Sequence, residues 1–287
     1  MIGFLQQTVN GLSSGSVYVL VGVGLTLVFG VSKVMNYAQG QFLILGSFLG
    51  YALVSAGLPW WVALIGATIA VGLLGPGLYV TLFRGLANNQ LATFILTVGL
   101  GIVIQQAVVE IWGPGQRQIN APFNSTINLG GVIITESRLL LFGLCIPVVA
   151  GLFWMLDRTD MGRRMRATAE NHDVASLVGV NPTVTTSAAF WIGSALAGFA
   201  GVLLGILYPF NPYSGTSLLI KGLAVALAGG IGNVRGAVLV GLAIGLTETY
   251  GSAYLIGPQW QDGYAFVLLI AILALRPTGL FRATVEI

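Results

Sequence analysis

Ionisable residues are scarce in this chain. Only 7% of its 287 residues are Asp, Glu, Lys or Arg, where a soluble domain carries about 25%. With 56% hydrophobic residues and a mean hydropathy of +0.90, that deficit excludes a soluble globular protein and leaves an integral membrane protein. Histidine is nearly absent. His172 is the single one, so neither a histidine-based triad nor a multi-histidine metal site can form within the chain. The one cysteine, Cys145, lies in an apolar run, which excludes an internal disulfide and leaves the redox compartment unread. There is no GxxxxGK[ST], so the chain does not bind nucleotide through a P-loop. The pI near 9.2 comes from scattered arginines. No basic run with interleaved aromatics suggests a nucleic-acid surface. The opening MIGFLQQTVNG has neither a basic n-region nor a small-residue cleavage site, so the first apolar segment reads as a retained span.

Long apolar runs are what the chain does have. A membrane helix needs about 20 apolar residues. Runs of that kind cover 8–31, 36–57, 63–83, 91–112, 139–156, 183–207 and 237–255, and shorter ones cover 218–228 and 264–275. The expected fold is an all-α, polytopic helical bundle of about eight to nine transmembrane segments, in one transmembrane domain over 1–287. Pro59-Trp60-Trp61 reads as an interfacial turn. Asn88-Asn89-Gln90 reads as another. The segment 113–138 is rich in Gly, Pro and Asn and too irregular to face lipid. The 41 glycines include small-residue ladders, Ala197-x-x-x-Gly201-x-x-x-Gly205 and Ala237-x-x-x-Gly241-x-x-x-Gly245, that let helices approach closely.

The stretch 157–182 gathers Asp157, Arg158, Asp160, Arg163, Arg164, Arg166, Glu170, His172 and Asp173 in one run, so it is an aqueous loop. Gly162 opens it. Ala167, Asn171, Val174 and Val178 fall at helical spacing, Gly179 offers a helix stop, and Asn181-Pro182 reads as N-cap and first-turn proline. With this hairpin placed in the cytoplasm, alternation puts Lys33, Arg84, Arg158, Arg163, Arg164, Arg166, Arg235, Arg276 and Arg282 inside. Arg117, Arg138 and Lys221 fall outside, as the positive-inside rule asks of about nine crossings. Segment 113–138 is then extracytoplasmic, including Asn124. Asn36-Tyr37-Ala38-Gln39-Gly40 echoes Asn211-Pro212-Tyr213-Ser214-Gly215 on the opposite side, as an inverted repeat would.

Candidate path residues follow from polarity in apolar surroundings. Asn36, Gln39, Gly40 and Gln41 open the second span, where an unwound helix end would offer amides to a zwitterion; capping at the interface is the competing reading. Lys221 and Glu248 lie inside apolar runs at similar depth, and pairing would make both cheaper to bury. Glu110, beside Trp112, reads as a water-facing helix end.

Gly162-x-x-x-Arg166-Ala167 followed by Ala175-x-x-x-Gly179-Val180-Asn181 resembles the cytoplasmic coupling loop of ABC importer permeases, most of all those of branched-chain amino-acid importers. Asn10-Gly11 through Gly15-Ser16-x-Tyr18-x-Leu20, Met35 to Gln41, Gly229-Gly230-Ile231-Gly232-Asn233 and Arg276-Pro277-x-Gly279-Leu280 resemble the same family, so the likeness runs end to end. The resemblance implies a non-enzymatic transport subunit in a bacterial inner membrane. It implies a second permease chain, two ATP-binding subunits holding ATP and Mg, and an extracytoplasmic binding protein, with no cofactor on this chain. It assigns Gly162, Arg163, Arg164, Arg166, Ala167, Ala175 and Gly179 to ATPase coupling. The alternatives are a permease for urea, short amides or another small polar solute, or, in another class, a stand-alone channel or secondary transporter.

Overall fold

The computed structural model describes residues 2–86, 89–123, 125–129, 131–255, 257–277 and 279–281. Asn88, Asn124 and Arg282, which the sequence places in a turn, in the outer loop and inside, lie outside the described residues. The first element, α1, runs Ile2–Ser32 without a proline, and stops where Lys33 takes a left-handed φ of 57°. It is followed by α2 (Gln39–Ser55), α3 (Trp60–Leu78) and α4 (Gln90–Trp112). Pro76 lies inside α3, which continues as a π-helical turn over Tyr79–Phe83 and a 3-10 turn over Arg84–Leu86. After the polar segment come α5 (Glu136–Arg158), α6 (Asp160–Glu170), α7 (His172–Leu177), α8 (Pro182–Leu207), α9 (Ser214–Gly229), α10 (Val234–Tyr254) and α11 (Gln261–Leu275).

Several expected boundaries move. The second helix starts at Gln39 rather than at 36, because Asn36 to Ala38 form a turn outside it. The segment expected to be irregular over 113–138 holds an antiparallel hairpin, β1 (Thr126–Leu129) with β2 (Val132–Thr135), and gives way to α5 already at Glu136. Gln6 completes this hairpin. Its side chain donates to the Ile133 carbonyl at 2.9 Å and accepts from the Ile133 amide at 2.8 Å, as a neighbouring strand would.

Among the described residues, six helices are long and apolar enough to cross a membrane: Ile2–Ser32, Trp60–Leu86, Gln90–Trp112, Glu136–Arg158, Pro182–Leu207 and Pro258–Leu275. The protein is thus an all-α polytopic membrane protein. Of the other helices, α2, α9 and α10 are shorter or more polar than these, α9 having 16 residues, and α6 and α7 form the charged stretch. Burial ranks the helices. The apolar windows of α1 and α8 are 89% and 83% buried, against 22% for α4 and α5, so α1 and α8 form the centre and α4 and α5 the rim.

Packing follows a two-fold logic. Helix α1 lies on α10, and α8 lies on α3; α2 packs on α8, and α9 on α1. Gly24 and Gly193 meet where α1 crosses α8: a Cβ on either would sit 3.1 Å from the other's carbonyl oxygen. The echo between 36–40 and 211–215 has the same basis. Asn36 Oδ1 accepts from the Ala38 amide and Asn211 Oδ1 from the Tyr213 amide, and each main-chain carbonyl takes the amide three residues on. The two turns deliver Gly40 and Gly215 to one contact at the starts of α2 and α9. There a Cβ on Gly40 would overlap the Gly215 carbonyl oxygen, and one on Gly215 would lie 2.9 Å from the Gly40 carbonyl.

The bundle has two distinct ends. At one, Gly30 approaches Gly232, His172 bonds the Val31 carbonyl at 2.9 Å, and Arg235 pairs with Asp157 at 3.0 Å. At the other, Gln6 holds the β-hairpin, and Arg117 and Phe210 exchange main-chain hydrogen bonds at 2.8 Å.

Candidate functional site

A buried polar knot ties α1, α9, α10 and α11 together. Glu248 on α10 is fully buried. Burial in hydrocarbon leaves a carboxylate several kcal/mol worse off unless donors surround it. Four do. The Lys221 ammonium of α9 lies 3.0 Å from Oε1 and 3.2 Å from Oε2; the Tyr18 hydroxyl of α1 donates to Oε2 at 2.8 Å and the Gln261 amide at 3.3 Å. Lys221 also donates to Tyr18 at 3.1 Å and pairs with Asp262 at 2.9 Å. The sequence pointed to Lys221 and Glu248 as partners, and they meet. Tyr18, Gln261 and Asp262 were not foreseen in this role. Their signal was weak, since a lone carboxylate inside a membrane demands donors but does not say from which helix.

The other polar candidates divide. Asn36 closes its own turn and donates to Gln39 Oε1 at 3.4 Å, while the Gln39 amide donates to the Gly193 carbonyl at 2.7 Å. Both side chains are tied into local structure: Asn36 closes the turn before α2, whose N-cap Ala38 has no side-chain cap bond, and Gln39 is bonded across to α8. The reason is geometric: Gln39 satisfies a carbonyl that the close Gly24–Gly193 crossing leaves within reach. Gln41 differs. Its Nε2 donates to Gln105 Oε1 at 3.0 Å, but its buried Oε1 has no partner. Gly40 is the contact point described above. Glu110 is exposed, as expected of a helix end.

The charged stretch is a pair of short helices. Thr159 caps α6 by accepting from the Gly162 amide, and Asn171 caps α7 by accepting from the amides of Asp173 and Val174. The chain therefore breaks at Asn171 (φ −156°, ψ 119°), and the single face through Ala167, Asn171, Val174 and Val178 does not exist. Gly162 is needed because the chain folds back there: a Cβ would overlap the Leu156 carbonyl oxygen, which also accepts from Arg166. Arg163 pairs with Asp160, and Arg163 and Arg164 are exposed. Gly162 and Ala175 are buried and Ala167 is half-buried, so these small residues shape the hairpin from within. Gly179 (φ 83°) ends α7, and the Val180 amide returns to the Ala175 carbonyl at 3.0 Å. Asn181 caps α8 with Pro182 in its first turn, as expected. The outward face carries Val174, Leu177 and Val178, exposed by 55%, 85% and 71%. Leu177 had not been singled out.

A helical bundle with a buried ion-pair knot, two helix starts meeting at glycines and an apolar hairpin at one end is the body of a multi-pass membrane protein. Residues 7–273 match the family described as branched-chain amino acid transport system / permease component, and the chain belongs to that family. It is 34% identical to the high-affinity branched-chain amino acid transport system permease protein BraD of Pseudomonas aeruginosa, over 99% of this chain and 97% of that protein. It is 32% identical to the corresponding permease protein LivH of Escherichia coli (strain K12), over 99% of this chain and 97% of LivH. A solved structure of PsaBC from Streptococcus pneumoniae in complex with Fab aligns over 96% of this chain and 92% of that one. Its TM-score is 0.51 and its identity 11%, a likeness of fold alone.

Proposed function

We propose that this chain is the membrane-spanning subunit of an ATP-driven, binding-protein-dependent importer of branched-chain or related neutral amino acids in a bacterial inner membrane. The observation that carries this reading is the end-to-end likeness to BraD and LivH, permease proteins named for that transport. In this reading α2, α9 and α10 also cross, which makes nine crossings with α1, α3, α4, α5, α8 and α11. The end carrying the α6–α7 hairpin faces the cytoplasm. The hairpin's apolar face docks onto one of two separate ATPase subunits that hold ATP and Mg. A second permease chain, identical or related, completes the path, and an extracytoplasmic binding protein delivers the substrate. Gln41, with its unpartnered buried oxygen, is the path residue of the α2 start.

The test is uptake in proteoliposomes. The chain is co-purified with its cognate ATPases and second permease, and loaded binding protein is supplied outside. ATP-dependent accumulation of leucine, isoleucine or valine, and not of urea or short amides, is the expected result. Accumulation of urea or amides alone would move the chain to the other substrate class, and ATP-independent flux would place it among channels or secondary transporters.

A further inference from the structure

Beside the knot, at the end of the bundle that carries the β-hairpin, lies an open cavity of about 340 Å³ lined by residues of this chain. That volume falls at the lower end of the range for small-molecule sites, roughly 300–1,000 Å³. Its walls are of two kinds. One is polar: Ser14 and Tyr208, whose hydroxyls lie 3.2 Å apart, with Tyr18, Ser217 and Gln261. The other is apolar: Val17, Leu204, Phe210 and Leu218.

Charge adds direction. The knot holds two carboxylates, Glu248 and Asp262, against one ammonium, Lys221. Glu248 is enclosed by its donors, so the surplus negative charge resides on Asp262, whose side chain is 62% exposed and accepts from the cavity residue Ser217 at 3.4 Å. The cavity wall also offers the spare donor capacity of the Ser14–Tyr208 hydroxyl pair. An ammonium group suits Asp262 beside Ser217, a carboxylate the hydroxyl pair, and an aliphatic side chain the apolar wall.

We infer that this cavity is a binding site within one permease chain for a free zwitterionic amino acid with an aliphatic side chain, occupied after release from the binding protein. The inference rests on the proposed function for its physiological ligand. It adds that the permease itself holds the substrate, through both charged ends.

The experiment uses the assembled permease–ATPase complex in nanodiscs, without ATP and without binding protein, and measures binding of radiolabelled L-leucine. Saturable binding is expected. Excess isoleucine or valine should compete, and neither 3-methylbutylamine nor 4-methylpentanoate, each with one charged end, should do so at the same concentration. Ser14→Leu, which fills the cavity, should abolish binding. The gentler Asp262→Asn and Tyr208→Phe should each weaken it by about three- to tenfold, while Ile146→Ala, on the exposed face of α5, should leave it unchanged. Binding that the amine or the acid displaces as well as leucine does, or that survives all three cavity variants, overturns the site. Leucine uptake through the full system with no binding to the complex alone overturns it too and leaves the importer reading standing. Absence of both uptake and binding removes both.

Discussion

The Lys221 ammonium lies 3.0 Å from Glu248 Oε1, and both side chains are almost wholly buried although 27 residues separate them in sequence. Removing one partner of such a pair strands the other, at a cost of about 3–5 kcal/mol. Lys221→Ala or Glu248→Ala should therefore each lower thermal stability in detergent markedly. The double variant should lose less than the sum, by roughly 1 kcal/mol or more. Tyr18→Phe, which takes away one donor to Glu248, should cost about 1–3 kcal/mol. A double-mutant cycle read by thermal unfolding decides this. Strict additivity would mean that Lys221 and Glu248 are neighbours without coupling.

The meeting of α2 and α9 gives a second, more local test. Gly40→Ala places a methyl against the Gly215 carbonyl, and overpacking of this kind costs about 1–3 kcal/mol. Gly99→Ala, within α4 at a position where nothing lies within 4 Å of the new Cβ, should be neutral or stabilising by up to ~1 kcal/mol. Equal melting temperatures for the two variants would show that the helix starts are not in close contact.

These two sites differ in how far the sequence announced them. Turn chemistry is local, so the 36–40 and 211–215 echo was visible in five residues and proved to be two equivalent turns. The Lys221–Glu248 pairing was visible because charge in an apolar run needs a partner. The rest of the knot was hidden, because Asp262 and Gln261 sit at the start of α11, where polar residues are ordinary. The bond that Gln39 makes was hidden for a related reason. Its partner, the Gly193 carbonyl, is 154 residues away and becomes reachable only through a glycine–glycine crossing that no local pattern encodes. The β-hairpin escaped notice because its strands are four residues each and depend on Gln6 of α1.

Orientation is tested by accessibility. In a Cys145→Ser background, cysteine at Ser176 in α7 and at Ser125 beside the β-hairpin should react with an impermeant thiol reagent from opposite sides of the membrane. Both positions are exposed. Lysine and arginine are concentrated at the hairpin end, so Ser176 should label only from the cytoplasmic side. Labelling of both from one side would overturn the nine-crossing arrangement.

The hairpin can be tested without disturbing the fold. Leu177 and Val178 are 85% and 71% exposed, so they contribute little to the stability of this chain. Substitutions at such positions usually shift stability by no more than about 0.5 kcal/mol. If their apolar surface enters a groove on an ATPase, as short amphipathic helices do, Leu177→Asp and Val178→Asp should leave the protein inserted and abundant. They should reduce substrate-stimulated ATP hydrolysis and uptake at least tenfold. Gly179→Val acts differently. Nothing lies within 4 Å of its new Cβ, but the φ of 83° costs a side chain about 1–2 kcal/mol, so it should tilt α7 and uncouple more weakly. Ala167→Trp, half-buried in α6, should uncouple and also lower stability, because a large ring at a half-buried position overpacks its neighbours. The measurement is ATPase activity of the assembled complex in proteoliposomes, with and without loaded binding protein. Normal stimulated hydrolysis in the Leu177 and Val178 variants would reduce the hairpin to a connector whose exposed leucine and valines touch only water or headgroups.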